Sequence, residues 1–315
     1  MGRGVGPDDA TLRRAAAYFF LFETVSAAKE RARLWARLAP GVHDDSFDGF
    51  DRVAADLLDR SALAVHRQRE ETAERLYRAM SSNPTFSVVE RGSPHYPARL
   101  AVLDEAPPFI TADGDVDVLA RPTVAIVGTR QPSSAGMQRA RYLAYQLARR
   151  QVVVASGLAR GIDEAAHTGA LHAGGVTVAV LGTPVDRTYP REHAVLQGRI
   201  AETGALVSQF PPGMRVQRHF FPMRNAVMSG LSLATVVVEA SETSGALIQA
   251  RACLRQGRKL FIPRSATLRP DLGWPAKFAE QGARVFDSVD QVLEELNVHG
   301  IVQEPTAVHL GHTRE

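Results

Sequence analysis

Residues 123–163 read TVAIVGTRQPSSAGMQRARYLAYQLARRQVVVASGLARGID, and this stretch decides the fold. TVAIV (123–127) and VVVA (152–155) are short, continuous apolar runs. Such runs predict strands buried on both faces, because a half-exposed strand alternates apolar with polar residues. Between them, residues 134–149 carry apolar side chains at helical spacing. Strand, helix, strand is the unit that places two strands parallel through a right-handed crossover.

The alternation continues outward from this unit. VTVAV (176–180), ALVS (205–208), ATVVVE (234–239), KLFI (259–262) and ARVF (283–286) predict further strands. Helices are predicted at 162–173, 191–202, 221–231, 245–256, 274–282 and 288–296. Residues 121–297 therefore predict an α/β core: an extended Rossmann-like, doubly wound, mostly parallel sheet. Upstream, helical spacing over 9–37, 46–59 and 62–80 predicts a small all-α N-terminal unit spanning 1–84, ended by Asn83-Pro84. Residues 85–120, with a short strand at 86–89, are expected to connect the two and pack on the core. Residues 298–315 are expected to be a tail.

Composition sets the class. Of 315 residues 45% are hydrophobic and 23% charged, which suits a folded globular chain. No apolar run approaches the roughly 20 residues of a membrane helix, and the first residues lack a secretory apolar segment, so no membrane association and a cytoplasmic location are expected. One cysteine, Cys253, excludes a disulfide framework or a multi-cysteine zinc site. The net charge is only +3, yet residues 210–264 hold 8 basic and 2 acidic side chains. That surplus suits an anionic ligand and equally a solvated basic helix.

In a doubly wound sheet, ligands bind beyond the carboxyl ends of the strands. After the first strand come Gly128, Thr129 and Arg130, then Ser133 and Ser134. A glycine turn before a helix start favours an anion, and arginine adds a fork suited to phosphate; a plain serine cap fits the same residues. After the second come Ser156, Gly157, Arg160 and Gly161, with Asp163 and His167 four apart on one helix face. Two such side chains without a third do not make a metal site, so both are expected to be bonded within the fold. The segment after ALVS carries Arg215, Arg218, Phe220, Phe221, Arg224 and Asn225. Arginines interleaved with aromatics suit single-stranded nucleic acid, where each stacked base contributes roughly 1–3 kcal/mol. One of the two phenylalanines is as well placed to be a core anchor. Ser244 and Gly245 open a helix as a phosphate site or as a cap. Glu239, at a strand end, suits a general base or a ribose acceptor. No catalytic set emerges.

VAIVGTR (124–130), SGLARGID (156–163), AAH (165–167), YP (189–190), FPMRNAVMSGLS (221–232), VVVEA (236–240) and SGALIQA (244–250) together resemble the DprA/Smf family of DNA-processing proteins, in family order and spacing. The resemblance implies a single-stranded DNA-binding protein of recombination and natural transformation. It implies no catalysis and no cofactor, a RecA recombinase as partner, and a homodimer. It also implies that Arg130 grips a phosphate, that Arg224 and Asn225 line the same groove, and that Ser156, Gly157 and Arg160 form the neighbouring loop. Base stacking by Phe220 or Phe221, and phosphate contacts by Arg215 and Arg218, follow from their chemistry. The chain departs from the pattern at Ile262-Pro263-Arg264 and at 271–277, DLGWPAK, and no winged-helix domain is expected after Asn297. Two other readings use the same sheet edge: a nucleotide phosphoribohydrolase acting through Glu239, and a nucleotide-binding sensor.

Overall fold

In a computed structural model of the protein, residues 9–297 are described, apart from 26 and 40–47; the expected tail at 298–315 lies outside them. Helices α1 (Asp9–Thr24), α2 (Ala28–Leu38), α3 (Asp48–Leu58) and α4 (Ala62–Ser82) come first. Strand β1 (Phe86–Glu90), α5 (Ala98–Ala101) and β2 (Phe109–Gly114) follow. Then come β3 (Thr123–Val127), α6 (Ser134–Arg149), β4 (Val153–Ser156), α7 (Ile162–His172), β5 (Thr177–Val180), α8 (Ala194–Thr203) and β6 (Ala205–Ser208). The chain ends through α9 (Phe220–Leu231), β7 (Ala234–Val237), α10 (Ala246–Arg255), β8 (Lys259–Pro263), α11 (Arg264–Thr267), α12 (Trp274–Glu280), β9 (Arg284–Phe286) and α13 (Val289–Glu295).

The described strands form one sheet in the order β1-β2-β6-β5-β4-β3-β7-β8-β9. From β6 to β9 all neighbours are parallel. This is the doubly wound, Rossmann-like sheet that the apolar runs predict. All five residues of β3 are buried, and successive side chains point to opposite faces. Val124 and Ile126 pack with Leu143 and Leu147 of α6 and Ile162 of α7. Ala125 and Val127 pack with Val227 and Leu231 of α9 and Leu247 of α10.

Two expectations need correction. Residues 85–120 do not merely connect: β1 and β2 extend the sheet, with β2 antiparallel to β6 through Thr111↔Ser208 and Ala112↔Val207. The sequence of β2, FITADG, ends in Asp and Gly and sits among prolines, so its strand signal is weak. Its partner β6 supplies the missing preference. The helix expected over 9–37 is two, because Ala27 is extended (φ −76°, ψ 113°). α1 is apolar nearly all round, and it is buried on two sides. Phe20 and Leu21 pack with Phe50 and Val65 of the helical unit, while Phe19 and Phe22 join Phe109, Phe210 and Phe220 against the sheet.

Candidate functional site

From β3 the chain winds outward through β4, β5 and β6, then returns to place β7 on the other side of β3. The loops leaving β3 and β7 therefore diverge, and a crevice opens between them. Thr129 N–H donates to the Glu239 carbonyl at 2.7 Å, which ties the two loops at their base. Beyond that tie, Arg130 stands exposed, with no hydrogen bond or ion pair among the described residues.

The anion expected at the start of α6 is already present. Glu239 accepts from Ser133 N–H at 2.9 Å through Oε1 and from Ser133 Oγ at 2.7 Å through Oε2. Ser133 Oγ in turn accepts from Gly136 N–H at 3.0 Å. The positive end of the helix is thus neutralised by a side chain of the protein. Of the two roles open to these serines the cap is the one seen, and Glu239 is committed to the same network.

Arg224 of α9 is only 7% exposed. Its Nη1 donates to the Gly157 carbonyl at 2.7 Å and to the Val180 carbonyl at 2.6 Å, and its Nε to Asn225 Oδ1 at 3.0 Å. A Cβ on residue 157 would meet this guanidinium, so any larger residue there would push Arg224 off its carbonyl partners. Burial lowers the Arg224 pKa, the nearby Asp163 raises it and the like charge of Arg130 lowers it. Burial pushes the Asp163 carboxyl up, opposed by Arg224 and by N–H bonds from Ala159 (3.3 Å) and Gly157 (3.2 Å). Arg224 therefore clamps the ends of β4 and β5 to α9 and presents one edge as groove wall.

The neighbouring residues divide. Ser156 is buried and its Oγ donates to the Ile126 carbonyl at 2.7 Å, so it binds β4 to β3 and does not reach the crevice, a correction to its expected place in the ligand loop. Arg160 is exposed and paired with Glu192. His167 is buried, its Nδ1 2.8 Å from Thr177 Oγ1, whose own hydrogen goes to the Val154 carbonyl. The ring therefore carries its proton on Nδ1, and Nε2 has no partner. Burial, with the His193 and Arg224 charges, lowers its pKa to about 3.

The crevice has two joined lobes. The first, about 440 Å³, is lined by Gly128, Thr129, Arg130, Asn225, Ser244 and Gly245 among others. The second, about 700 Å³, is lined by Gly157, Arg160, Leu181, Gly182, Tyr189 and Arg191 among others. Arg130, Arg224 and Phe221 belong to both. Phe220 is only 1% exposed and stacks on Phe210 at 3.9 Å, so the expectation that it faces a base is corrected: it is the core anchor of the pair. Phe221, one position on and about 100° round the helix, faces the crevice. Ser244 Oγ accepts from Ala246 N–H at 3.2 Å, as a cap, while lining the first lobe. Arg215 and Arg218 are exposed on the approach to α9, and neither lines either lobe. Tyr189 and Arg191 line the second lobe; the sequence reading quoted Tyr189-Pro190 as a family motif and gave neither Tyr189 nor Arg191 a place in the site.

The divergent segment at 271–277 sits behind the crevice. Trp274 is 2% exposed and its Nε1 donates to the Ala240 carbonyl at 2.9 Å. Glu242 Oε1 accepts from Gly273 N–H at 2.6 Å and Trp274 N–H at 3.0 Å, closing the start of α12. The substitution thus builds a buttress for the loop after β7.

Known proteins share this chain's sequence pattern and fold. The profile of DNA recombination-mediator protein A matches residues 87–297. DNA processing protein DprA of Bacillus subtilis is 34% identical over 238 residues, covering 75% of this chain and 80% of that protein. The crystal structure of DprA from Streptococcus pneumoniae superposes with a TM-score of 0.74 at 26% identity, over 89% of this chain and 97% of that one. DprA from Helicobacter pylori, whose structure was described for its single-stranded DNA binding mode, gives 0.59 at 26% identity over 69% and 97%. No described helix is long and apolar enough to cross a membrane. A family profile over most of the chain, and a relative aligned over four-fifths of its length, establish that the chain belongs to the DNA recombination-mediator protein A family, the DprA/Smf proteins of DNA processing and recombination.

Proposed function

We propose that this protein binds single-stranded DNA in the two-lobed crevice, without catalysis. The observation that carries the reading is Arg130: an exposed, unpaired guanidinium at the switch point, beside the exposed face of Phe221. Charge on one side and a ring on the other match a phosphate and its base. Four arginines (Arg130, Arg160, Arg191, Arg224) line the lobes against two carboxylates (Asp163, Glu192), leaving the surface cationic. Arg215 and Arg218, outside the lobes, would hold phosphates of the strand as it leaves. Glu239 lines neither lobe and accepts two hydrogen bonds from Ser133, which speaks against its acting there as the general base of a nucleotide hydrolase. The family role extends the proposal to a cytoplasmic homodimer that delivers strands to a RecA-type recombinase.

The test is fluorescence anisotropy of labelled single-stranded and duplex oligonucleotides, with wild type and Arg130→Glu. Single strands should bind more tightly than duplex, and Arg130→Glu should lose most of that affinity. Three phosphate contacts, by Arg130, Arg215 and Arg218, predict a log–log salt slope of about −2, or a roughly 20-fold loss from 50 to 200 mM salt. No binding at low salt, or equal binding by Arg130→Glu, would refute the reading.

A further inference from the structure

We infer that the outer face of α6 is a second contact surface for single-stranded DNA, where Tyr142 and Tyr145 stack on bases and Arg139 and Arg141 meet phosphates of a strand leaving the crevice past Arg130. The inference rests on the single-strand reading above and names where one end of that strand goes. Arg215 and Arg218 follow β6, across the sheet from β3, and so take the other end. α6 buries Ala140, Leu143, Ala144 and Leu147. Its two tyrosines lie on the opposite side: Tyr142 is 61% exposed and Tyr145 38%, so the core does not account for them. Three residues apart, they are neighbours on the helix surface, with Cβ atoms about 5–6 Å apart. Water over two aromatic faces is unfavourable, and bases displace it while stacking.

The charges on this face fit the same occupant. None of the 16 residues of α6 is acidic. Arg139 and Arg141 have no hydrogen bond or ion pair from their side chains among the described residues. A Cβ on Gly169 of α7 would stand 2.2 Å from the Arg141 carbonyl, so α7 packs there backbone to backbone and Arg141 stays exposed beside it. Two carboxylates are engaged at the ends of the helix, Glu239 by Ser133 at its start and Asp290 by Arg150 just past its end. The middle is left cationic and aromatic, the combination that holds a single strand without regard to sequence. The face also continues from the crevice. α6 starts four residues after Arg130, and at the helical rise Tyr142 and Tyr145 lie about 12 and about 16 Å along it. That continuity favours the strand itself over a protein as the occupant.

The experiment measures anisotropy with thymine strands of about 4 and about 16 nucleotides, the range of site sizes a single-strand module covers. The chains are wild type, Tyr142→Ala with Tyr145→Ala, Tyr142→Phe with Tyr145→Phe, Arg141→Glu and Arg130→Glu. On the long strand the double alanine chain should lose about 5-fold or more, the worth of one stacked base. On the short strand it should match wild type, and the double phenylalanine chain should retain affinity on both. Arg141→Glu should flatten the long-strand salt slope by about 0.7, the share of one phosphate contact. If the double alanine chain binds the long strand as wild type does while Arg130→Glu does not, the α6 surface is overturned and the crevice stands. If it loses equally on both lengths, the rings support the crevice or the fold and the assignment is again overturned. If its long-strand affinity is unchanged but its mass by sedimentation equilibrium shifts, the face joins two copies of the chain and the assignment falls. If Arg130→Glu binds both strands normally, the crevice itself is not the binding site and both readings fall.

Discussion

Arg224 and Arg130 sit side by side, and the structure assigns them opposite weights in folding and binding. Arg224→Met removes the donors to the Gly157 and Val180 carbonyls and to Asn225 Oδ1, and leaves the Asp163 carboxylate buried without an opposing charge. Each bond from a charged donor is worth about 1.5–3 kcal/mol, and stranding a buried charge costs about 3–5 kcal/mol. These overlap, so about 3–5 kcal/mol is the expected total. At about 2–4 °C per kcal/mol for a large domain, the melting temperature should fall by about 6–20 °C. Arg130→Ala, on an exposed unpaired side chain, should stay within about 0.5 kcal/mol of wild type. Its single-strand affinity should still fall by about 10-fold or more, the worth of one charged contact. The pH dependence separates mechanisms further. Asp163 already has a raised pKa, and losing Arg224 raises it more. A carboxyl whose folded pKa is raised stabilises below its unfolded value and loses that stability as pH climbs through the folded value. The Arg224→Met defect should therefore be smaller at pH 5 than at pH 8, and Asp163→Asn in the same chain should recover part of it. Thermal denaturation followed by circular dichroism, paired with anisotropy, decides the matter. Melting of Arg224→Met within about 2 °C of wild type would show that solvent carries this guanidinium, and the clamp would be refuted.

His167 predicts an acid limb to stability. Its pKa is lowered to about 3, so its contribution is present above its ordinary pKa near 6.5 and is lost as pH falls toward 3. At pH 5 the loss from this one ring is about 2 kcal/mol, and a His167→Gln chain should show a flatter melting profile between pH 7 and pH 5. Trp274→Ala should cost about 3–5 kcal/mol through its cavity, while Trp274→Phe should cost about 1–3 kcal/mol for the orphaned Ala240 carbonyl. Urea titrations of the three chains check the order, and a surface-like value for Trp274→Ala would remove the buttress.

What the sequence made legible follows burial. β3, β4, β5 and β7 are buried on both faces, so their runs are apolar without interruption and needed no partner to be recognised. β2 was missed because its register with β6 is a contact between residues 97 apart, such as Thr111 and Ser208. The carboxylate at α6 was missed for the same reason: Glu239 lies 106 residues from the serine it meets. Arg224 was recognisable as part of the crevice, but its role was not, because carbonyls that accept from a guanidinium leave no mark on side-chain identity. Phe220 and Phe221 are identical in chemistry, and only the rotation of α9 against Phe210 distinguishes core from wall.

The crevice is cationic for a reason that a count of charges does not reveal. Most ionised groups near it are already engaged: Arg224 by two carbonyls, Arg160 by Glu192, Glu239 by Ser133, Glu242 by the start of α12. Opposite charges held close together contribute little field at a distance: Arg160 is met by Glu192 and Arg224 by the nearby Asp163, while Glu239 and Glu242 face the positive ends of α6 and α12. The residual field comes from the arginines left over, Arg130 and Arg191, and both line the second lobe together with Phe221. The same arrangement explains how the chain carries a divergent segment at 271–277 without closing the site. Trp274 and Glu242 take up that change behind the loop, while the residues that present charge and ring to solvent belong to β3, β5 and α9 and the turns that follow them. A ligand that needs only spaced phosphates and an open π-face asks nothing more of the surface than this.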